Sequence, residues 1–220
     1  MLLELAVFHP ASVEIAEKCG IERIELCRDY ASGGLSPDLA FFSESRRIFS
    51  AAVFAMIRPR SGDFFYSETE LLRMRDLIRM YDDAGADGFV LGCMKENAVD
   101  VGSLEMLVNA AGNKPVTFHR AIDEAADYDA GIEALISCGC SRVLTSGKAI
   151  SAIEGYDNIS RISKKYGSDI GILPGGGIRG RNAGILSEIS GLKEIHSACI
   201  TGDGEIADEE EVLRLMAAIA

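Results

Sequence analysis

The stretch Thr117-Phe118-His119-Arg120-Ala121-Ile122-Asp123 sets an imidazole, a guanidinium and a carboxylate close behind an apolar run. An imidazole exchanges protons near neutral pH, an arginine holds an anion, and Asp123 could orient either one. The chain contains three histidines. His119 therefore weighs as a catalytic candidate against the blander reading of a satisfied core or capping residue, and His196 in Ile195-His196-Ser197-Ala198 is a second. Arg58 and Arg60 flank a proline in Met56-Ile57-Arg58-Pro59-Arg60, a stiff basic edge suited to a carboxylate or phosphate. The alternative is that one of them pairs with Glu25 or Asp63 as a structural ion pair. In Arg23-Ile24-Glu25-Leu26-Cys27, alternation puts Glu25 and Cys27 on one face, and a buried Glu25 needs a partner.

The run Pro174-Gly175-Gly176-Gly177 offers backbone N–H groups with no Cβ in the way, and a helix expected to begin near Arg179 would add positive potential. With Ser146, Gly147 and Ser197 beside it, the run is an anion-binding candidate; alone it reads equally as a tight turn. The six cysteines are scattered, which predicts reduced, buried thiols rather than a disulfide framework. No Cys-x-x-Cys or paired-histidine spacing supports zinc. Soft Cu(I) could still use thiolates supplied by different strands. Lys148 lies beyond its strand and no lysine falls inside a predicted strand, which argues against an imine-forming aldolase.

These candidates matter only if something brings them together. Eight β-rich runs recur along the chain: Leu3 to Phe8, Arg23 to Cys27, Ala52 to Ile57, Gly88 to Gly92, Pro115 to His119, Arg142 to Ser146, Ile170 to Leu173 and Glu194 to Ser197. Segments of helical period separate them, for example Glu68-Leu71-Leu72-Arg75-Ile78-Tyr81. Several crossovers end alike, at Gly20, Gly85, Gly139 and Gly191, where a left-handed residue closes a helix. Alternating β and α units call for a parallel sheet, and eight of them without a long insertion favour closure over an open doubly wound sheet. The expected fold is thus an α/β (β/α)₈ TIM barrel, a single domain over residues 1–220. Its chemistry would lie in the loops after the strands, where all the candidates above fall. Asp208 to Ala220 reads as a last helix with acids in its first turn.

A formal charge of −12 makes nucleic acid and anionic membranes poor partners. The apolar runs are too short to span a bilayer, and the N-terminus lacks the basic region of a secretory signal, so a cytoplasmic location is expected.

The strand-end motifs Arg23-Ile24-Glu25-Leu26-Cys27, Gly33-Gly34-Leu35-Ser36-Pro37, Met56-Ile57-Arg58-Pro59-Arg60-Ser61-Gly62-Asp63-Phe64, Thr117-Phe118-His119-Arg120-Ala121, Leu144-Thr145-Ser146-Gly147, Pro174-Gly175-Gly176-Gly177 and His196-Ser197-Ala198, in this order, resemble the CutC family. The resemblance runs from the first strand to the last. It implies a cytoplasmic α/β barrel, often a homo-oligomer, linked by name to copper homeostasis. One departure stands out: where many members carry a cysteine in strand 1, this chain has Ala6. Cys27 matches but its partner does not, and Cys199 is the candidate to replace it.

Two functions follow. One is copper homeostasis, with Cu(I) on Cys27 and a second soft ligand. The other is an enzyme, a lyase, isomerase or hydrolase acting on a small anionic or phosphorylated substrate, in which the glycine run and Ser197 hold the anion, Arg58 and Arg120 neutralise it, and His119 or Glu25 moves a proton. A non-catalytic oligomeric scaffold is a weaker third.

Overall fold

The computed structural model describes residues 1–220. Eight parallel strands form the sheet: β1 (Leu2–Val7), β2 (Arg23–Leu26), β3 (Ala52–Met56), β4 (Gly88–Leu91), β5 (Val116–Phe118), β6 (Arg142–Thr145), β7 (Gly171–Pro174) and β8 (Glu194–Ser197). Hydrogen-bonded neighbours run β8-β1-β2-β3-β4-β5-β6-β7. The ring is completed where β7 packs beside β8, and this one joint has no ladder. The eight predicted runs are the eight strands, within a residue or two at each end. Sequence periodicity misses a small antiparallel hairpin after β4, Met94–Lys95 with Ala98–Val99.

Helices α1 (Pro10–Cys19), α2 (Leu39–Ile48), α3 (Glu68–Asp83), α4 (Val101–Ala111), α5 (Tyr128–Ser137), α6 (Tyr156–Tyr166), α7 (Ala183–Leu186) and α8 (Glu209–Ala218) cover the outside. Their local chemistry explains their limits. Ser67 and Glu70 form a capping box at the start of α3, and Met74, Ile78 and Tyr81 bury its inner stripe. Asp208 caps α8, whose first turn holds three acids. Gly20, Gly85, Gly139 and Gly191 all adopt the left-handed conformation expected of helix-closing residues. One expectation fails: no helix begins near Arg179. That backbone turns instead, with the Arg179 N–H donating to Asn182 Oδ1 at 2.8 Å, and only the single-turn α7 follows. Asn182 satisfies the local donor that a helix would otherwise have left free.

Outward residues such as Leu5, Ile24, Val53, Phe89, Val143 and Ile195 join one apolar core between sheet and helices. No helix is long and apolar enough to cross a membrane.

Candidate functional site

Because outward positions are apolar, their alternates must fill the barrel. Much of that filling is charged, unlike the branched aliphatics usual in such barrels. Toward the amino ends of the strands, Glu4 accepts hydrogen bonds from Arg23 Nε and, at 2.8 Å, from His196 Nδ1. Arg23 also pairs with Glu194. The Phe54 ring lies between the guanidiniums of Arg23 and Arg142, 5.3 and 4.6 Å from its centroid. It fits only because its neighbour is Gly88, where a Cβ would come within 2.4 Å of the ring. Arg142 Nε donates to Thr117 Oγ1 at 3.0 Å.

Above this floor opens a cavity of about 330 Å³ at the carboxyl ends of the strands. Glu25, Arg58, His119, Arg120, His196, Gly176, Gly177, Ser197 and Cys27 all line it, as do Met56, Phe64 and Arg179, which sequence reasoning did not single out as site residues.

Arg58 and His119 form one wall. Arg58 donates to the carbonyls of Ser32, at 2.8 Å, and of Gly62, also at 2.8 Å, and stacks on Phe64, so it forms no ion pair with Glu25 or Asp63. Its buried Nε has no partner. His119 caps the short 3₁₀ helix Arg120–Glu124: its Nδ1 accepts the Ala121 N–H at 3.2 Å, which leaves the ring proton on Nε2. That Nε2 is buried and unpartnered. The ring sits hard against the residue that follows β4, where a Cβ on Gly92 would lie 2.4 Å from its Cε1.

Glu25, from β2, and His196, from β8, also line the cavity. His196 Nδ1 lies 3.5 Å from Glu25 Oε2, while Glu25 Oε1 is buried with no partner. Burial alone would raise Glu4, but the His196 hydrogen bond and the Arg23 charge outweigh it and hold that carboxyl at about 2. For Glu25, burial dominates over the attraction of His196 and, with the Glu4 charge beside it, lifts it to about 7. His196 is raised, since Glu4 and Glu25 more than offset its burial. Glu4, being ionised, can only accept, so His196 Nδ1 is the donor. His119 goes the other way: burial and the Arg58 charge lower it to about 3, and the expected proton exchange near neutrality gives way to a neutral ring.

The glycine turn lines the cavity as well. Gly176 and Gly177 have φ values of 103° and 70°, open to glycine alone at low cost. Their N–H groups donate to nothing in the protein. Arg120 leans over Gly176, held by Ser146 Oγ at 2.7 Å and Asp123 at 3.2 Å. Arg179, fixed by the Ile200 carbonyl at 2.9 Å and Ser197 Oγ at 3.3 Å, completes the cationic rim.

Other sequence candidates fall outside the cavity. Arg60 is turned toward solvent by Asp63 and Glu70. Asp123 orients Arg120, not His119, and accepts from Thr145, Ser146 and the Lys148 N–H. Gly147 and Gly175 support from behind; at Gly175 a Cβ would strike Leu144 at 2.5 Å. The hydroxyls expected to hold an anion are already engaged: the one Ser146 proton lies between Asp123 Oδ2 at 2.9 Å and the Ala149 carbonyl at 2.6 Å, and Ser197 donates to Ile178, at 2.8 Å. Lys148 is drawn to the Ala125 carbonyl.

The two thiols do not assemble a site. Cys27 packs with Phe54, Met56 and Val90 inside the barrel, whereas Cys199 belongs to the outer core and bonds Ser197. Burial raises both thiols, Cys27 well above its ordinary value and Cys199 to about 11. Glu4, Glu25 and His196 have ligand atoms within 4.8 Å of one another, a separation that a metal ion could bridge. Both Glu4 oxygens are, however, already taken by Arg23 and His196, which supply the positive charge a metal would bring.

Residues 1–201 match the model of the CutC family. A family protein CutC of Pasteurella multocida is 37% identical over 197 residues, covering 89% of this chain and 81% of that one. One from Treponema denticola is 40% identical over 187 residues, 84% of this chain and 76% of that one. Among solved structures, the "putative copper homeostasis protein CutC" of Streptococcus agalactiae superposes with a TM-score of 0.86 at 29% identity, covering 91% of this chain and 100% of that one. A thiamine phosphate pyrophosphorylase of Pyrococcus furiosus superposes with a TM-score of 0.66 at 15% identity, covering 99% and 95%, a likeness of fold alone.

Proposed function

The chain belongs to the CutC family, and on that premise we propose that its barrel mouth binds a small anionic molecule and moves a proton on it. One observation carries this reading. Around a single cavity, three buried polar atoms lack partners, Glu25 Oε1, Arg58 Nε and His119 Nε2. Leaving such groups unsatisfied costs about 1–3 kcal/mol each, which a ligand that pairs with them would recover. Arg120, Arg179 and the Gly176 and Gly177 N–H groups give the rim its preference for negative charge. Glu25 is the proton acceptor, with a carboxyl poised near neutrality.

The test is thermal unfolding against inorganic phosphate and oxalate. Saturation about a hundredfold above Kd adds about 2.7 kcal/mol of stability, and Arg120→Ala should remove it. If neither anion raises Tm, the reading fails.

A second reading is Cu(I) binding in copper homeostasis, the role named for the Streptococcus agalactiae relative. Its support is that Cys27 and Met56 pack together on the cavity wall, a thiol and a thioether of the softness Cu(I) prefers. Reduced protein would then take up about one Cu(I) per chain, lost in Cys27→Ser and weakened in Met56→Leu. Uptake unchanged in both variants removes it. Six cysteines free of disulfides support a cytoplasmic location. Exposed Ile150, Ile185 and Ile206 support self-association into a homo-oligomer, which light scattering would measure.

A further inference from the structure

His119 narrows the substrate. A histidine that shuttles protons must be able to take up a second one near neutral pH. Here Nδ1 is tied as an acceptor to the Ala121 N–H at 3.2 Å, and the ring is wedged against Gly92 and the Phe64 ring, whose centroid is 4.8 Å away. An imidazole so held is a neutral, fixed donor with a single N–H, and that Nε2–H is buried without an acceptor. Arg58, stacked on the same Phe64, keeps a positive charge nearby. A neutral donor beside cationic groups suits an oxygen that carries little charge in the bound substrate and gains it during reaction. A phosphate or carboxylate oxygen, charged throughout, is better served by Arg120, Arg179 and the glycine amides.

We propose, resting on the reading above, that the substrate is a small anion bearing a carbonyl group, that the carbonyl oxygen accepts from His119 Nε2–H, and that the proton removed comes from the carbon beside it. The C–H bond breaks and its proton passes to the Glu25 carboxylate. The C–H electron pair becomes the C=C bond of an enolate, the carbonyl π pair moves onto oxygen, and His119 and Arg58 hold the charge that develops. In a substrate with a hydroxyl on that carbon, the hydroxyl proton passes to the former carbonyl oxygen and Glu25 returns its proton to the former carbonyl carbon, which completes an isomerisation without consuming an oxidant, reductant or metal. A neutral imidazole is the suitable electrophile for this step because its proton affinity is closer to that of an enolate oxygen than an imidazolium's would be. The anionic group is either phosphate or carboxylate, and the rim chemistry accepts both.

Planar hydroxamates mimic the enolate and test this with wild-type protein. The probes are 2-phosphoglycolohydroxamate and N-hydroxyoxamate, compared with inorganic phosphate and oxalate. One hydroxamate should bind at least about tenfold more tightly than its plain anion, and which one does so identifies the anionic group. In ¹⁵N-labelled protein, His119 should show an unprotonated Nδ1 and a protonated Nε2 throughout, with the Nε2–H signal moved by the hydroxamate and not by the plain anion. His119→Phe should lose the hydroxamate advantage while keeping the affinity for the plain anion. The inference is overturned if hydroxamates bind no better than plain anions, if Nε2–H responds equally to both, or if Nδ1 carries the proton. Plain-anion binding in those cases leaves the broader reading standing; absence of any anion binding removes both.

Discussion

The floor and the mouth of this barrel use the same residue types to opposite ends. On the floor, Glu4, Arg23 and Glu194 are joined, with Phe54 between two guanidiniums; Arg142 Nη2 is the one polar atom there without a partner. At the mouth, a carboxylate, a guanidinium and an imidazole that line one cavity each keep a buried unpaired atom. The floor thus pairs its polar groups within the protein, whereas the mouth leaves polar atoms unpaired, the feature on which the proposed ligand binding rests. His196 belongs to both, anchored below through Glu4 and facing the cavity beside Glu25.

The contrast can be broken from below first. Arg23→Ala leaves Glu4 and Glu194 without their shared cation and should cost about 3–5 kcal/mol in urea unfolding at pH 7. A loss under 1 kcal/mol would mean that the floor network is not a folding element. The mouth should behave in reverse. Glu25→Gln replaces a carboxyl that burial makes reluctant to ionise, so at pH 8 the variant should be more stable than the parent by about 1–3 kcal/mol, with little difference at pH 5. Destabilisation at pH 8 would contradict the raised carboxyl.

The pH dependence sharpens this further. Glu25 is raised in the folded state to about 7, so its contribution is lost as pH rises from its model value of 4.5 through 7. His119 is depressed from 6.5 to about 3, so its contribution is lost as pH falls from 6.5 toward 3. Between 4.5 and 6.5 the two slopes oppose each other. Glu25→Gln should uncover the histidine slope, about 1.4 kcal/mol per pH unit, in urea midpoints measured across that window. A flat profile in the variant would show that His119 is free to protonate. The smallest effect belongs to Arg60, whose pairs with Asp63 and Glu70 lie at the surface, partly exposed. Arg60→Ala should change stability by no more than about 0.5 kcal/mol and leave phosphate affinity unaltered; a larger loss of affinity would return Arg60 to the site.

Strand positions were legible because they obey a local rule, period-two alternation bounded by glycine. The same rule located Glu25 and Cys27. Applied to every strand it would also have found Glu4 and Arg142, charged residues at inward positions whose neighbours Leu5 and Val143 face the helices. What no local rule supplies is partnership. Arg58 and Arg60 are near-identical in sequence context, yet one turns to carbonyls inside the mouth and the other to carboxylates outside it. Ser146 and Ser197 read as free hydroxyls until the loops that engage them are in place. The state of His119 depends on a Gly92 that is distant in sequence.

The joint between β7 and β8 has a mechanical consequence. A cylinder hydrogen-bonded around all but one boundary behaves as a rolled sheet, and its compliance is greatest at the free margins. The Gly175–Gly177 turn leaves one margin and Ser197 ends the other, so at the mouth the seam is held by side chains, Ser197 Oγ on the Ile178 carbonyl and Arg179 on the Ile200 carbonyl, in place of a main-chain ladder.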